Sequence, residues 1–312
     1  MRIVFFGTPE FAVPSLEAVH REHEVALVVA QPDRPAGRGM KMHVPPVIAR
    51  ARELGLPTAQ PPKIRNAELL DSIAQLKPDA GVVVAYGKIL PAALLEIPKE
   101  GFFNVHGSIL PKYRGAAPIQ RAIEAGEIET GVTIMRVDEE LDHGPMLLIA
   151  KTEIGPDERT PALAQRLSHI GAEALARVLR EERVETPQDH AQATLAPKIE
   201  KAEGEITFHE PARVIYNRFR AFDPWPGIFY KDVKLTEISG AAPASGAGSS
   251  GSSAAEAAAA PQGTILELSD EGVVVATAEG AIRILEMQRP GKPRTPAGAL
   301  ARGLGWRVGD VL

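Results

Sequence analysis

Asn104 and His106 stand two apart in Phe102–His106, a run whose β-branched and aromatic character predicts a strand. That spacing puts both side chains on one face, at the strand's carboxyl end. A carboxamide beside an imidazole supplies donors that can converge on one point, which suits an oxygen gaining negative charge as a carbonyl carbon is attacked. A third group follows in Asp138-Glu139-Glu140-Leu141-Asp142-His143-Gly144-Pro145. Four acids in five residues ordinarily make a solvated loop, but Asp142 is followed by a tight turn and then an apolar strand. The set lacks an attacking atom: the chain has no cysteine, and Ser108 sits in no G-x-S-x-G elbow. The eight histidines show no paired metal-ligand spacing, so no metal is expected. Asn104, His106 and Asp142 would therefore serve an external nucleophile, by positioning it, stabilising an oxyanion and moving a proton.

The elements that must hold these groups are legible over 312 residues, of which 44% are hydrophobic and 24% charged. Strands are expected at Arg2–Phe6, Val25–Ala30, Ala80–Ala85, Phe102–His106, Val132–Val137 and Met146–Lys151. Helical patterns alternate with them, including 66–76 with Asn66 as N-cap, and a longer helix opened by Thr160-Pro161 and running to Arg180. The alternation predicts an α/β domain over 1–186, Rossmann-like with a mostly parallel sheet, whose ligands bind beyond the strands' carboxyl ends. Pro- and Ala-containing residues 187–204 read as a linker. Residues 205–312 carry short strand-like runs, Glu205–Phe208, Ile228–Ile238, Gly263–Leu268, Gly272–Ala276 and Ala281–Met287, with one helix near 211–221. They predict a small OB-like β-barrel, interrupted by an Ala/Gly/Ser-rich flexible loop at 239–262. No uncharged 18-residue apolar run exists and the first residues enter a strand directly, so neither a membrane span nor a leader is expected, and the cytoplasm is the expected compartment. Nothing in the pattern requires more than a monomer.

The turn Gly7-Thr8-Pro9-Glu10-Phe11 after the first strand has one of the three glycines of a dinucleotide fingerprint, so it reads as a tight turn rather than a nucleotide site. The stretch Asn104-Val105-His106-Gly107-Ser108-Ile109-Leu110-Pro111, followed by Tyr113-Arg114-Gly115-Ala116-Ala117-Pro118-Ile119-Gln120, resembles the folate-site signature of the 10-formyltetrahydrofolate-dependent formyltransferases. Leu141-Asp142-His143-Gly144 is similar to that family's catalytic-aspartate loop, with His143 an unusual residue there and Ile109 standing where the family usually has Leu. The resemblance implies that 10-formyltetrahydrofolate is the formyl donor. It also implies that Asn104, His106 and Asp142 are catalytic and that Ser108, Ile109, Leu110 and Pro111 hold the folate. The apolar run Val82–Gly87 could line the same pocket or simply be a buried strand. Gln31-Pro32-Asp33-Arg34-Pro35-Ala36-Gly37-Arg38-Gly39 resembles the tRNA-contacting insertion of those family members that formylate methionyl-tRNA, and the carboxyl half resembles the same members in Arg220–Pro226 and Gly263–Leu266. The implied acceptor is the α-amino group of methionyl-initiator tRNA, with Arg38, Arg34 and Lys41 as tRNA contacts.

A net charge of -5 argues mildly against nucleic acid, yet the basic residues are grouped. Arg283, Arg289, Lys292, Arg294, Arg302 and Arg307 meet one acid, Glu286, between residues 283 and 307. Arg213, Arg218, Arg220, Lys231 and Lys234 form a second island, and Arg34, Arg38, Lys41 and Arg50 a third. Pro32, Pro35, Gly37 and Gly39 should keep the last of these free of regular structure. Other readings stay open on the residues alone. They are formyl transfer to a purine precursor or amino sugar, hydrolysis of the formyl donor, non-catalytic RNA binding, and nicotinamide-dependent redox chemistry.

Overall fold

A computed structural model describes residues 1–36, 41–240 and 260–312. They form two compact units, Met1–Ile119 with Ile128–Gly155 and Ala162–Lys198, and Gln120–Glu127 with Pro156–Pro161 and Ile199–Leu312. In the first unit, every expected strand is present. Its sheet comprises β1 (Arg2–Gly7), β2 (Glu24–Val29), β3 (Thr58–Ala59), β4 (Ala80–Val84), β5 (Phe102–His106), β6 (Glu129–Arg136) and β7 (Met146–Glu153). The spatial order is β7-β6-β5-β4-β1-β2-β3. Pairs from β3 through β5 run parallel, while β6 is antiparallel to both β5 and β7.

The central strand β1 is apolar from Ile3 to Phe6 because both its faces are covered: Ile3, Val4, Phe5 and Phe6 are all fully buried. Phe6 meets the rings of Tyr86 and Phe102 edge-on, at 5.3 and 5.5 Å between centroids. The helix Ala67–Gln75 starts where Asn66 accepts a hydrogen bond from the Glu68 amide at 3.0 Å, and buries Leu69 and Ile73. The order of strands reverses direction between β1 and β4, and β5 is the next strand outward. The carboxyl end of β5 thus lies beside the crevice that such sheets offer to ligands.

Some expectations change. Arg34–Ala36 and Lys41–His43 pair as a short antiparallel ribbon despite their prolines and glycines, because only residues 37–40 lie between them. Most of the expected linker belongs to the first unit. Leu195–Ala196 pairs with Arg114–Gly115, and Gln188 is 5% exposed. The rest, from Ile199, belongs to the second unit, where Glu203 caps the turn Lys201–Gly204. Glu205–Phe208 makes one bridge, Glu205 to Phe229, rather than a strand.

The second unit holds β8 (Ile228–Tyr230), β9 (Val233–Gly240), β10 (Ile265–Ser269), β11 (Gly272–Ala276), β12 (Ala281–Gln288) and β13 (Thr295–Pro296). They form one antiparallel sheet ordered β8-β9-β12-β11-β10, with β13 on β12. The single run expected at Ile228–Ile238 is a hairpin that turns at Lys231, whose φ is +54°. Helices Ala212–Ala221 and Ala297–Gly303 complete the unit. Apart from its ends, the expected loop 239–262 falls outside the described residues. Among the described residues no helix is long and apolar enough to cross a membrane.

Candidate active site

Asn104 and His106 sit at the carboxyl end of β5, and the loop between β6 and β7 brings Asp142 to them across 36 residues or more of chain. Asn104 Nδ2 donates to Asp142 Oδ1 at 3.3 Å, and the Gly115 amide donates to Oδ2 at 2.8 Å. His106 Nδ1 lies 3.5 Å from the same Oδ2, with the imidazole 5% and the carboxylate 14% exposed. His106 Nε2 is 2.9 Å from the Tyr113 carbonyl oxygen. A carbonyl only accepts, so Nε2 carries a hydrogen and the neutral ring keeps its free lone pair on Nδ1. Asn104 spends one of its two Nδ2 hydrogens on Asp142 and retains the other for a ligand.

The loop carrying Asp142 is shaped from within. Asp138 accepts from the Glu140 amide at 3.1 Å and from His143 Nδ1 at 2.7 Å. His143 in turn stacks on His190, 4.0 Å between ring centres and 3° from parallel. Asp142 itself has φ +49°, a left-handed conformation that Asp tolerates better than most residues. Gly144 follows because a Cβ there would strike the Arg136 carbonyl oxygen. Gly115, with φ +124°, brings its amide to Asp142 while a Cβ would come within 2.8 Å of the Ala196 oxygen.

The turn at Ser108, Ile109, Leu110 and Pro111 is pinned by Thr133 on β6. The Thr133 hydroxyl donates to the Ser108 carbonyl at 2.7 Å and accepts from the Leu110 amide at 3.1 Å. Ser108 Oγ donates to the Lys112 carbonyl at 2.6 Å. Ser108 and Leu110 are buried, so they give the turn its shape, while Ile109 and Pro111 keep part of their surface. The Leu110–Pro111 peptide is cis. On β4 and just beyond it, Val82, Val84 and Tyr86 are core residues. Burial pushes the Tyr86 phenol up to about 12.

Of the expected tRNA contacts, Arg34 is exposed on the ribbon and Lys41 lies on its second strand. Arg38 falls outside the described residues. The basic islands are partly spent on internal pairs. Arg283 binds Glu267, Arg302 binds Asp270, Arg218 binds Glu210, and buried Arg220 donates to Asn217. Arg289, Lys292, Arg294 and Arg307 are exposed, the first three in the connection between β12 and β13. Among the described residues no cluster of His, Asp or Glu is placed to hold a metal ion.

Residues that sequence reasoning gave no role also shape the site. Thr133 pins the turn, Tyr113 orients the imidazole, Gln188 reaches the Asp142 loop, and Arg114 holds Gln188. The motif around Tyr113-Arg114-Gly115 was a signal for two of them. Nothing local marks Gln188, whose partners are 44 to 74 residues away.

A carboxamide, an imidazole and a carboxylate brought together in a chain with no cysteine are suited to acyl-type transfer without a covalent nucleophile. Residues 1–179 match the formyl transferase family model, and residues 198–305 match the formyl transferase C-terminal domain. The chain therefore belongs to the two-domain formyl transferases. A methionyl-tRNA formyltransferase of Thermus thermophilus is 44% identical across 100% of this chain and 99% of its own length. One of Citrifermentans bemidjiense is 45% identical across 100% and 96%. At that coverage the particular family is the methionyl-tRNA formyltransferases. Among solved structures, a sugar 3N-formyl transferase shares the fold at TM-score 0.66 and 16% identity, covering 94% of this chain and 99% of that one. The N-formyltransferase from Helicobacter canadensis does so at 0.66 and 18%, covering 90% and 98%.

Proposed function

We infer that the protein transfers the formyl group of 10-formyltetrahydrofolate to the α-amino group of methionyl-initiator tRNA, the step that prepares this tRNA for translation initiation. The observation that carries this reading is the convergence of Asn104, His106 and Asp142 in a chain with no cysteine. The amine nitrogen attacks the formyl carbon, a new carbon–nitrogen bond forms, and the formyl oxygen takes up the electron pair. Asn104 donates its remaining Nδ2 hydrogen to that oxygen. An α-amino group titrates near about 7.7–8.0, so a neutral fraction is present without a strong base. The amine proton passes to His106 Nδ1, and Asp142 Oδ2 beside it stabilises the resulting imidazolium. Collapse of the intermediate breaks the bond to the folate nitrogen, which receives the proton.

In this reading Ile109 and Pro111 touch the folate on a turn shaped by Ser108 and Leu110. Arg34, Arg38 and Lys41 contact the tRNA, assisted by the exposed cations Arg289, Lys292, Arg294 and Arg307. The protein works as a cytoplasmic monomer. Purified protein should transfer label from formyl-labelled folate to charged initiator tRNA and leave free methionine untouched. Formate release at the same rate without tRNA would mark a hydrolase instead.

A further inference from the structure

The carboxamide of Gln188 is saturated by four hydrogen bonds, all within the first unit. Its Nε2 donates to the backbone carbonyls of Asp142 at 2.9 Å and Gly144 at 2.8 Å. Its Oε1 accepts from Arg114 Nε at 3.1 Å and Nη2 at 2.6 Å. Arg114 Nη2 also reaches His190 Nδ1 at 2.9 Å, and His190 stacks on His143 of the Asp142 loop. Gln188 and Arg114 are 5% and 8% exposed, so the bonds between these two side chains are shielded from bulk water. Two carbonyls flanking the left-handed turn are thus tied to one side chain, and that side chain is tied to the residue preceding Gly115, whose amide holds Asp142 Oδ2.

We propose that Gln188, held by Arg114, is a positioning residue for formyl transfer: it fixes the backbone of Asp142 so that the carboxylate stays against Asn104 and His106. It touches no reacting atom. It rests on the function inferred above and extends it to a residue outside both signature motifs. Misplacing a catalytic group by about 1 Å can cost about 10²-fold in rate even when substrates still bind.

Gln188→Glu keeps the shape and the acceptor for Arg114 but turns the two donors into an oxygen facing two carbonyls. Gln188→Met removes all four bonds and adds no charge of its own beside the buried Arg114 guanidinium. In a variant that melts as a folded protein, kcat for formyl transfer should fall by about 10- to 100-fold with the Michaelis constant for the folate within about twofold of wild type. In an Asp142→Asn background the same change should cost little more, because the group it positions is already gone. Amide exchange at Gly115, which needs no turnover, should speed up in either variant as its acceptor drifts. Unchanged kcat, a loss that appears equally in folate binding, additive losses with Asp142→Asn, or unaltered Gly115 exchange would each overturn the assignment. Wild-type protein run alongside separates this from the broader reading: inactive wild type would refute formyl transfer to tRNA, whereas active wild type with unaffected variants refutes only the role of Gln188.

Discussion

At the scale of single residues, the site works through hydrogens that are already committed or still free. Asn104 has one Nδ2 hydrogen on Asp142 and one to give, while His106 has its Nε2 hydrogen on Tyr113 and its basic position at Nδ1. In the proposed reaction this division suits Asn104 to the oxyanion and His106 to the proton. Asn104→Ala should therefore lower kcat by about 10²–10³ with little change in folate affinity, as removal of an oxyanion donor does elsewhere. Single-turnover transfer rates with folate binding measured by fluorescence check it, and a wild-type single-turnover rate would remove Asn104 from the catalytic set.

At the scale of elements, strands and loops act as spacers for groups far apart in sequence. β5 supplies two side chains and β6 supplies Thr133, whose hydroxyl bridges the Ser108 carbonyl and the Leu110 amide. Thr133 is fully buried. Thr133→Val keeps the volume but strands two buried backbone groups, each costing about 1–3 kcal/mol when unsatisfied. The variant should lose roughly that much stability in urea unfolding. Its folate Michaelis constant should rise while the kcat set by Asn104 and His106 holds, and a loss in kcat alone would show that the turn serves catalysis instead. The Arg34–Ala36 and Lys41–His43 ribbon pairs the two segments on either side of Arg38 in the sequence. Arg38→Ala should accordingly raise the Michaelis constant for tRNA and leave that for folate alone; equal effects on both would contradict the assigned contact.

At the scale of the whole molecule, charge is arranged against the net value. A chain of net charge -5 displays a run of exposed cations at Arg289, Lys292 and Arg294, so tRNA affinity should fall steeply as salt rises. Carboxylates paired within the second unit tune its acid stability. Hydrogen bonds from Arg121 hold Glu203 below the ordinary carboxyl value of 4.5, helped by the Glu200 amide and opposed by burial. Its contribution is complete above that value and fades as pH falls through the lower folded one. Because Glu203 is about a third exposed, Glu203→Gln should cost at most about 1 kcal/mol at pH 7. The difference should shrink from pH 7 to an acid pH below the lowered folded value, where wild type has lost the charge as well. Urea unfolding at both pH values tests this, and an equal deficit at both would show that packing, not charge, is what the substitution removes.

Periodicity and composition fixed the strands of the first unit, the capped helix after Asn66 and the pairing of Asn104 with His106, because each depends on residues only two to four apart. The reach of Asp142 was legible only through a motif, since nothing local says which loop folds back on which strand. Where the chain fell short of its own pattern, non-local pairing was the reason: 187–198 looks like a linker until Arg114–Gly115 offers it an edge and Arg114 offers Gln188 a donor. Hydrogen bonds between residues 44 to 76 apart carry no imprint on local sequence, so the bonds around the Asp142 loop were decided by tertiary structure alone.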